Sequence, residues 1–166
     1  MKCVSLTQPW ASLVASGAKK IETRSWRTSY RGLLAIAASK GFPRADREVC
    51  DDEPFAEALA LAGCTSWRDL PRGAIVAVCR LDACVPTTLS NGGRNVTWHS
   101  GGWHVGDTWL SSTEYMFGDY APNRYVWLLD DVRMLPAPIP CRGALGLWTV
   151  PAEITARIEE QIGVRV

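Results

Sequence analysis

The apolar residues of this chain fall in short segments whose spacing changes between the period of strands and that of helices. Cys3–Leu6 predicts a first strand. Helical spacing follows, at Leu6, Trp10, Leu13 and Val14. We therefore predict a helix over Gln8–Ser16, with Thr7 as its N-cap and Gly17 as its left-handed stop.

Further strands are predicted in both halves of the chain. Side chains alternate over Lys20–Trp26, and one face of that strand is unusually polar. Leu33–Ala38 is a continuous apolar run, which is typical of a strand at the centre of a sheet. A long strand is predicted over Gly73–Val85, and two or three more over Arg124–Leu135 and Ala144–Val150.

Helices are predicted on the outside of this sheet. An alanine-rich, acidic stretch over Pro43–Ala62 predicts two surface helices separated by Pro54, the second ending at Gly63. Ala152–Ile162 predicts a short closing helix. Together the elements indicate an α+β fold with a closed or nearly closed mixed sheet.

One segment, residues 86–122, gives no clear periodicity. It is longer than an ordinary connection and contains two glycine pairs together with Trp98, Trp103 and Trp109. The sequence leaves two interpretations open, a binding loop or partly ordered decoration.

Composition limits the class of protein. The chain has 166 residues, of which 47% are hydrophobic and 21% charged, so we expect one globular domain over residues 1–166. No apolar run reaches the ~18 residues of a membrane helix. Gln8 and Pro9 interrupt the start before a signal-peptide core can form. We expect a cytoplasmic protein with no membrane partner.

Metal and thiol chemistry have little support in the sequence. The six cysteines form no C-x-x-C pair, so we expect reduced, mostly buried thiols. His99 and His104 are five residues apart in a glycine-rich stretch and match no zinc motif, so we interpret them as exposed loop residues. We expect neither a metal nor another cofactor.

Charge is concentrated in one short segment. The formal net charge is only +1, but Lys19–Arg31 contains five positive and one negative residue, a local charge of +4. Strand parity places Glu22 and Arg24 on one face, with Trp26 beyond them. Charged residues can protect a strand edge. A carboxylate between cations can also orient a guanidinium toward a phosphate, a carboxylate or a base edge.

The same segment resembles a known family. The pattern Gly17-x-Lys19-x-x-Glu22-x-Arg24 is similar to the G-x-K-x-x-E-x-R signature of the ASCH family, the domain related to the activating-signal-cointegrator proteins. Flanking segments extend the similarity over Lys2–Thr149: they are Gln8–Leu13, Trp26, Tyr30–Gly32, Gly118–Tyr120 and Tyr125–Leu129. The resemblance implies a PUA-like mixed β-barrel with flanking helices and a cleft beside the signature.

Members of this family are associated with RNA metabolism and transcription coactivation. The resemblance therefore implies that the cleft binds RNA or a modified nucleoside, and it leaves DNA open. Carried over by position, Lys19, Glu22 and Arg24 line the cleft. On physical grounds we add Trp26, Tyr30 and Asp119 as ligand-binding candidates, the two aromatic residues because bases stack on aromatic faces.

An enzyme is the main alternative. Some small bacterial relatives hydrolyse the acetyl amide of N(4)-acetylcytidine with the signature lysine, a threonine three residues later and a distant glutamate. Here Glu22 occupies the threonine position, and strand parity directs Thr23 to the opposite face. A metal-independent amidohydrolase or ribonuclease, with Lys19 and Glu22 as catalytic residues, remains an alternative to a binding module. A protein-interaction domain in transcription regulation that uses residues 86–122, with an unidentified protein partner, is a third hypothesis.

The tryptophans divide into two groups. Trp10, Trp127 and Trp148 lie inside apolar periodic segments, which predicts core packing. For the others a stacking role stays open, because they lie near the signature or in the glycine-rich segment: Trp26, Trp98, Trp103 and Trp109. The sequence shows no phosphate loop and no serine or cysteine hydrolase motif.

Overall fold

A computed structural model describes residues 1–99 and 101–163 of the chain. Its main element is a six-stranded mixed sheet formed by β1 (Lys2–Leu6), β2 (Ile21–Arg24), β3 (Gly32–Ala38), β4 (Ala74–Pro86), β8 (Tyr125–Pro140) and β9 (Leu147–Thr149). The strand order in this sheet is β2, β8, β4, β3, β1, β9. β1 and β3 are parallel, and the other neighbours are antiparallel. The predicted α+β class with a mixed sheet is confirmed.

Five helices accompany the sheet in the described residues. They are α1 (Trp10–Ala15), α2 (Arg44–Glu48), α3 (Phe55–Leu61), α4 (Ser112–Met116) and α5 (Ala152–Ile162). α1 is shorter than predicted, and Thr7 does not cap it with its side chain. The Thr7 carbonyl instead accepts the Ala11 amide at 3.1 Å, and the helix starts after Pro9.

The apolar run of β3 lies at the centre of the sheet, as predicted. Leu34 and Ile36 belong to the core that contains α1, whereas Ala35 and Ala37 belong to the core that contains Ile158 of α5. The sheet is therefore covered by helices on both faces. This is why the run contains no polar alternation.

β8 extends five residues beyond the predicted end at Leu135. Its pairing with β4 shifts register at three places and continues to Ile139 and Pro140. β2 pairs only with residues 125–128 of β8, so the later part of β8 has no partner strand on that side. Proline is tolerated at such an edge, because no neighbour needs its missing amide.

Residues 86–99 and 101–122, which the structure describes, are not one long loop as predicted. They contain a second sheet, with strands β5 (Val96–His99), β6 (Gly102–Val105) and β7 (Thr108–Leu110) in antiparallel order, followed by α4. His99 and His104 thus lie on strands, which corrects their interpretation as loop residues. The small sheet packs on β2 and β8 through an apolar cluster formed by Ile21, Val96, Val105, Leu110, Tyr120 and Val126.

Two expectations about chemistry can be compared with this fold. All six cysteines are free, and burial raises the pKa of the Cys50 and Cys79 thiols to about 11 and about 12. The Cys50 and Cys79 thiols are therefore poor nucleophiles at neutral pH. Within residues 1–99 and 101–163, no helix is long and apolar enough to cross a membrane.

Candidate functional site

A cleft of about 300 Å³ opens beside β2. Its walls come from β2, from the segment that follows α4, and from the start of α1. The lining residues are Leu6, Thr7, Trp10, Glu22, Thr23, Arg24, Met116, Phe117, Gly118, Asp119 and Arg124. Three of the six predicted ligand-binding residues, Glu22, Arg24 and Asp119, are brought together here.

Glu22 and Arg24 form the charged centre of the cleft. Arg24 Nη1 lies 3.6 Å from Glu22 Oε1, and the two side chains are 27% and 9% exposed. The Arg24 guanidinium also lies 5.6 Å from the ring centroid of Trp26, within the range of a cation–π contact. Glu22 and Trp26 therefore fix the orientation of the Arg24 guanidinium, while part of the side chain stays exposed to solvent.

The protonation of Glu22 is set by opposing effects. Burial raises the pKa of this carboxyl, while the positive charges of Lys19, Arg24 and Arg124 oppose the shift. The net direction is upward, because burial contributes most. A proton on Glu22 is thus held more tightly than on an exposed glutamate, and a ligand group that donates a hydrogen bond to it would favour proton loss.

The sequence analysis did not identify Arg124, which forms the opposite wall. Its Nε lies 3.2 Å from Asp119 Oδ2 and donates to the Asp119 carbonyl at 3.0 Å. Its Nη2 donates to the Thr23 carbonyl at 3.3 Å. Arg124 therefore joins the segment after α4 to the free edge of β2, and it adds a second guanidinium to the cleft.

Thr23 also lines the cleft. Strand parity directs its side chain to the face opposite Glu22, but β2 is an edge strand and the Gly118–Asp119 segment folds over that edge. The Asp119 amide donates to Thr23 Oγ1 at 3.0 Å. A residue on either face of so short an edge strand can therefore contribute to the same cleft.

Lys19 is not among the lining residues. Its side chain is fully buried, and Nζ donates to the Ile21 carbonyl and lies 3.9 Å from Glu114 Oε1. Burial lowers the pKa of Lys19, against the attraction of Glu22 and Glu114. The signature lysine therefore supports β2 from beneath the cleft.

Glu114, on α4, is a second residue that the sequence analysis missed. Its carboxylate accepts the Lys20 amide at 2.8 Å and the Ile21 amide at 3.1 Å, where β2 begins. Ser111 caps the same helix by accepting the Glu114 amide at 3.0 Å. The Ser111-x-x-Glu114 spacing is a helix-start pattern, and it could have located α4 from the sequence.

The predicted stacking residues Trp26 and Tyr30 do not line the cleft. Trp26 packs edge-on against buried Trp127 at a centroid distance of 4.7 Å, and the Tyr30 hydroxyl donates to the Leu33 carbonyl. The aromatic wall is provided by half-buried Trp10, whose Nε1 donates to the Phe117 carbonyl at 2.9 Å. Trp10 therefore combines the predicted packing role with a position at the cleft.

No cluster of three or more His, Cys, Asp or Glu side chains suited to a metal ion occurs among the described residues. The chemistry available in the cleft is that of carboxylates, guanidinium groups and hydroxyls. These groups recognise hydrogen-bond donors and acceptors and attract anions.

Comparison with known proteins identifies the family of this chain. The sequence model of the ASCH domain matches residues 4–98, more than half of the chain, and the chain therefore belongs to the ASCH domain family. Over 83 residues it is 36% identical to activating signal cointegrator 1 of Homo sapiens, and the mouse protein gives the same values. The matched part is 50% of this chain but only 14% of those proteins.

Solved structures support the fold. The crystal structure of ASCH from Zymomonas mobilis aligns with a TM-score of 0.51 and 16% sequence identity, covering 96% of this chain and 93% of that one. A mutant of the same bacterial protein gives the same TM-score and identity. At this identity the similarity concerns the fold alone, and it confirms the predicted PUA-like architecture.

Proposed function

We propose that this protein binds single-stranded RNA, or a modified nucleoside, by accommodating one unpaired base in the cleft beside β2. The observation that carries the proposal is the buried Glu22 carboxyl with guanidinium groups on two sides, one of them 3.6 Å away. A buried polar group that faces a cleft gains a partner when a ligand enters. The pairing of one acceptor with adjacent donors indicates the kind of ligand edge that fits.

Cytosine and guanine each present a donor next to an acceptor along one edge. An ionised Glu22 can accept a hydrogen bond from the exocyclic amine of cytosine or the ring N1–H of guanine, and Arg24 can donate to the neighbouring acceptor, ring N3 of cytosine or O6 of guanine. Arg124, on the facing wall, is available to a phosphate. The same set of groups therefore serves a base edge and the backbone attached to it.

The size and shape of the cleft favour a single unpaired base. About 300 Å³ is at the lower end of small-molecule sites, which is enough for one base and too little for a duplex. Trp10 contributes an aromatic wall, and stacking on such rings is worth about 1 to 3 kcal/mol per base. Single-stranded RNA, whose bases are free to turn outward, suits this geometry better than a paired helix.

The test is an affinity measurement with a short, labelled, single-stranded RNA by fluorescence anisotropy. Arg24→Ala removes the partly exposed guanidinium of the cleft, and we expect at least about tenfold weaker binding, as for the loss of a charged hydrogen bond. Arg44→Ala is the matched control, because Arg44 forms an exposed pair with Glu48 on α2. Equal affinity of both variants and the wild type would overturn the proposal.

A hydrolase is the second candidate, and one observation favours it. Thr23 lines the cleft beside Glu22, so a hydroxyl is present where parity predicted none. The Lys19 amine, however, donates to the Ile21 carbonyl beneath the strand, outside the cleft lining. Binding without amide cleavage therefore has the stronger support. Release of acetate from N(4)-acetylcytidine, lost in Thr23→Val, would establish the hydrolase instead.

A further inference from the structure

Four aromatic rings form a continuous column behind the cleft. Tyr120 and Tyr115 stack at a centroid distance of 5.0 Å and an interplanar angle of 10°, and Tyr115 and Trp103 stack at 4.0 Å and 4°. Trp98 then packs edge-on against Trp103 at 5.5 Å and 76°. Trp103 is stacked on Tyr115 and so gives Trp98 a fixed ring to pack against.

The column connects the cleft to the protein surface. At one end, Tyr120 lies against Gly118 of the cleft wall, so closely that a Cβ on Gly118 would be 2.6 Å from the Tyr120 ring. At the other end, Trp98 is 56% exposed although it belongs to β5. An exposed indole on a rigid support is a low-entropy surface for stacking.

A positively charged side chain, Arg94, lies beside the aromatic column. Arg94 is exposed, and its Nη2 lies 3.5 Å from the Tyr120 carbonyl, next to Asp119 of the cleft. In the part of the chain that the structure describes, no carboxylate lies within 4.0 Å of the Arg94 guanidinium. From Arg94 the chain bends at Asn95 and enters β5, so at about 3.3 Å per residue Trp98 is at most ~13 Å further along.

We propose that Trp98 and Arg94 form a second nucleotide subsite, which extends the cleft along a single RNA strand. Trp98 stacks a base of a nucleotide that follows or precedes the one in the cleft, and Arg94 contacts a phosphate between them. This inference rests on the proposed function, because it says where the RNA continues beyond the base bound in the cleft. A guanidinium and an exposed indole next to a base-sized cleft match the alternation of phosphate and base in such a strand.

The test compares a long and a short ligand. Dissociation constants are measured for cytidine 5′-monophosphate and for a seven-nucleotide oligocytidylate, with the wild type, Trp98→Ala and Trp109→Ala. Trp109 is the matched control: it is 60% exposed in the same small sheet but lies on the opposite face, over Gly102. We expect Trp98→Ala to weaken heptamer binding about tenfold or more, to leave monophosphate binding unchanged, and Trp109→Ala to change neither.

Other outcomes separate the two proposals. If Trp98→Ala binds the heptamer as tightly as the wild type does, the second subsite is overturned and the cleft proposal stands. Equal losses in Trp98→Ala and Trp109→Ala would also overturn it, because both faces would then contribute alike. If the wild type binds neither ligand, the proposed function itself fails. Trp98→Phe keeps a ring, and we expect it to retain most of the affinity, which distinguishes stacking from loss of the fold.

Discussion

Lys19 is a charged side chain enclosed by the protein on all sides. Its amine lies 3.9 Å from Glu114 Oε1 and is also attracted by Glu22. Burial shifts the pKa of each of the three groups toward its neutral form. Removing one member of a buried charged group leaves the others without compensation, which is costly. Lys19 therefore acts mainly on the stability of β2 and of the cleft floor.

We expect Lys19→Met to lower the free energy of unfolding by about 3 to 5 kcal/mol near neutral pH, because two buried carboxyls lose their shared cation. Urea denaturation measures this change. The neighbouring Lys20→Met is the control, since Lys20 is exposed, and it should change stability by less than about 0.5 kcal/mol. A loss below about 1 kcal/mol in Lys19→Met would show that the buried amine is not needed.

At Glu22, protonation and ligand binding are coupled. Burial raises the pKa of this carboxyl, and the proposed base donates to its ionised form, so protonation of Glu22 competes with ligand binding. Affinity should therefore increase as the pH rises through the raised pKa, and fall as the pH is lowered. Glu22→Gln cannot titrate, and its weaker binding should stay constant over the same range. A wild-type affinity independent of pH, or an equal slope in Glu22→Gln, would contradict the coupling.

Individual residues show where prediction from sequence stops. The signature and strand parity correctly placed Glu22 and Arg24 together, because both depend only on local spacing. The surroundings of Lys19 and Thr23 could not be predicted in this way, since they come from α4 and the segment after it, more than 90 residues later. Arg124 could not be found for the same reason.

Among the secondary-structure elements, the long and mainly apolar strands were predicted best. The ends of β3 and β4 agree with their predicted ends to within one residue. The three strands of the small sheet were missed, because each has only three or four residues and glycines lie in or between them. Such strands depend on packing against β2 and β8 more than on their own pattern.

α4 shows how an unpredicted element can determine the site. This five-residue helix carries Glu114, which holds the first amides of β2, and Met116, which lines the cleft. Tyr115 of the same helix joins the aromatic column. Neither its length nor its composition predicts a helix of this importance, and only the Ser111-x-x-Glu114 spacing marks it.

At the scale of the whole molecule, the main sheet and the small sheet meet along β2. The cleft lies at this junction, where the segment after α4 covers the free edge of β2 and Arg124 donates to the Thr23 carbonyl. A larger groove of about 810 Å³ lies elsewhere, around Lys40, Arg142 and the exposed Leu145. We propose ligand binding in the smaller cleft, because there a buried carboxyl faces guanidinium groups.

NMR titration of the ¹⁵N-labelled protein with a short single-stranded RNA locates the binding site residue by residue. We expect chemical-shift changes at the amides of Thr23, Arg24, Asp119 and Arg124, with the region of Lys40 and Arg142 unchanged. Changes confined to the groove around Arg142, or no changes at RNA concentrations in the millimolar range, would contradict the assignment of the cleft as the RNA-binding site.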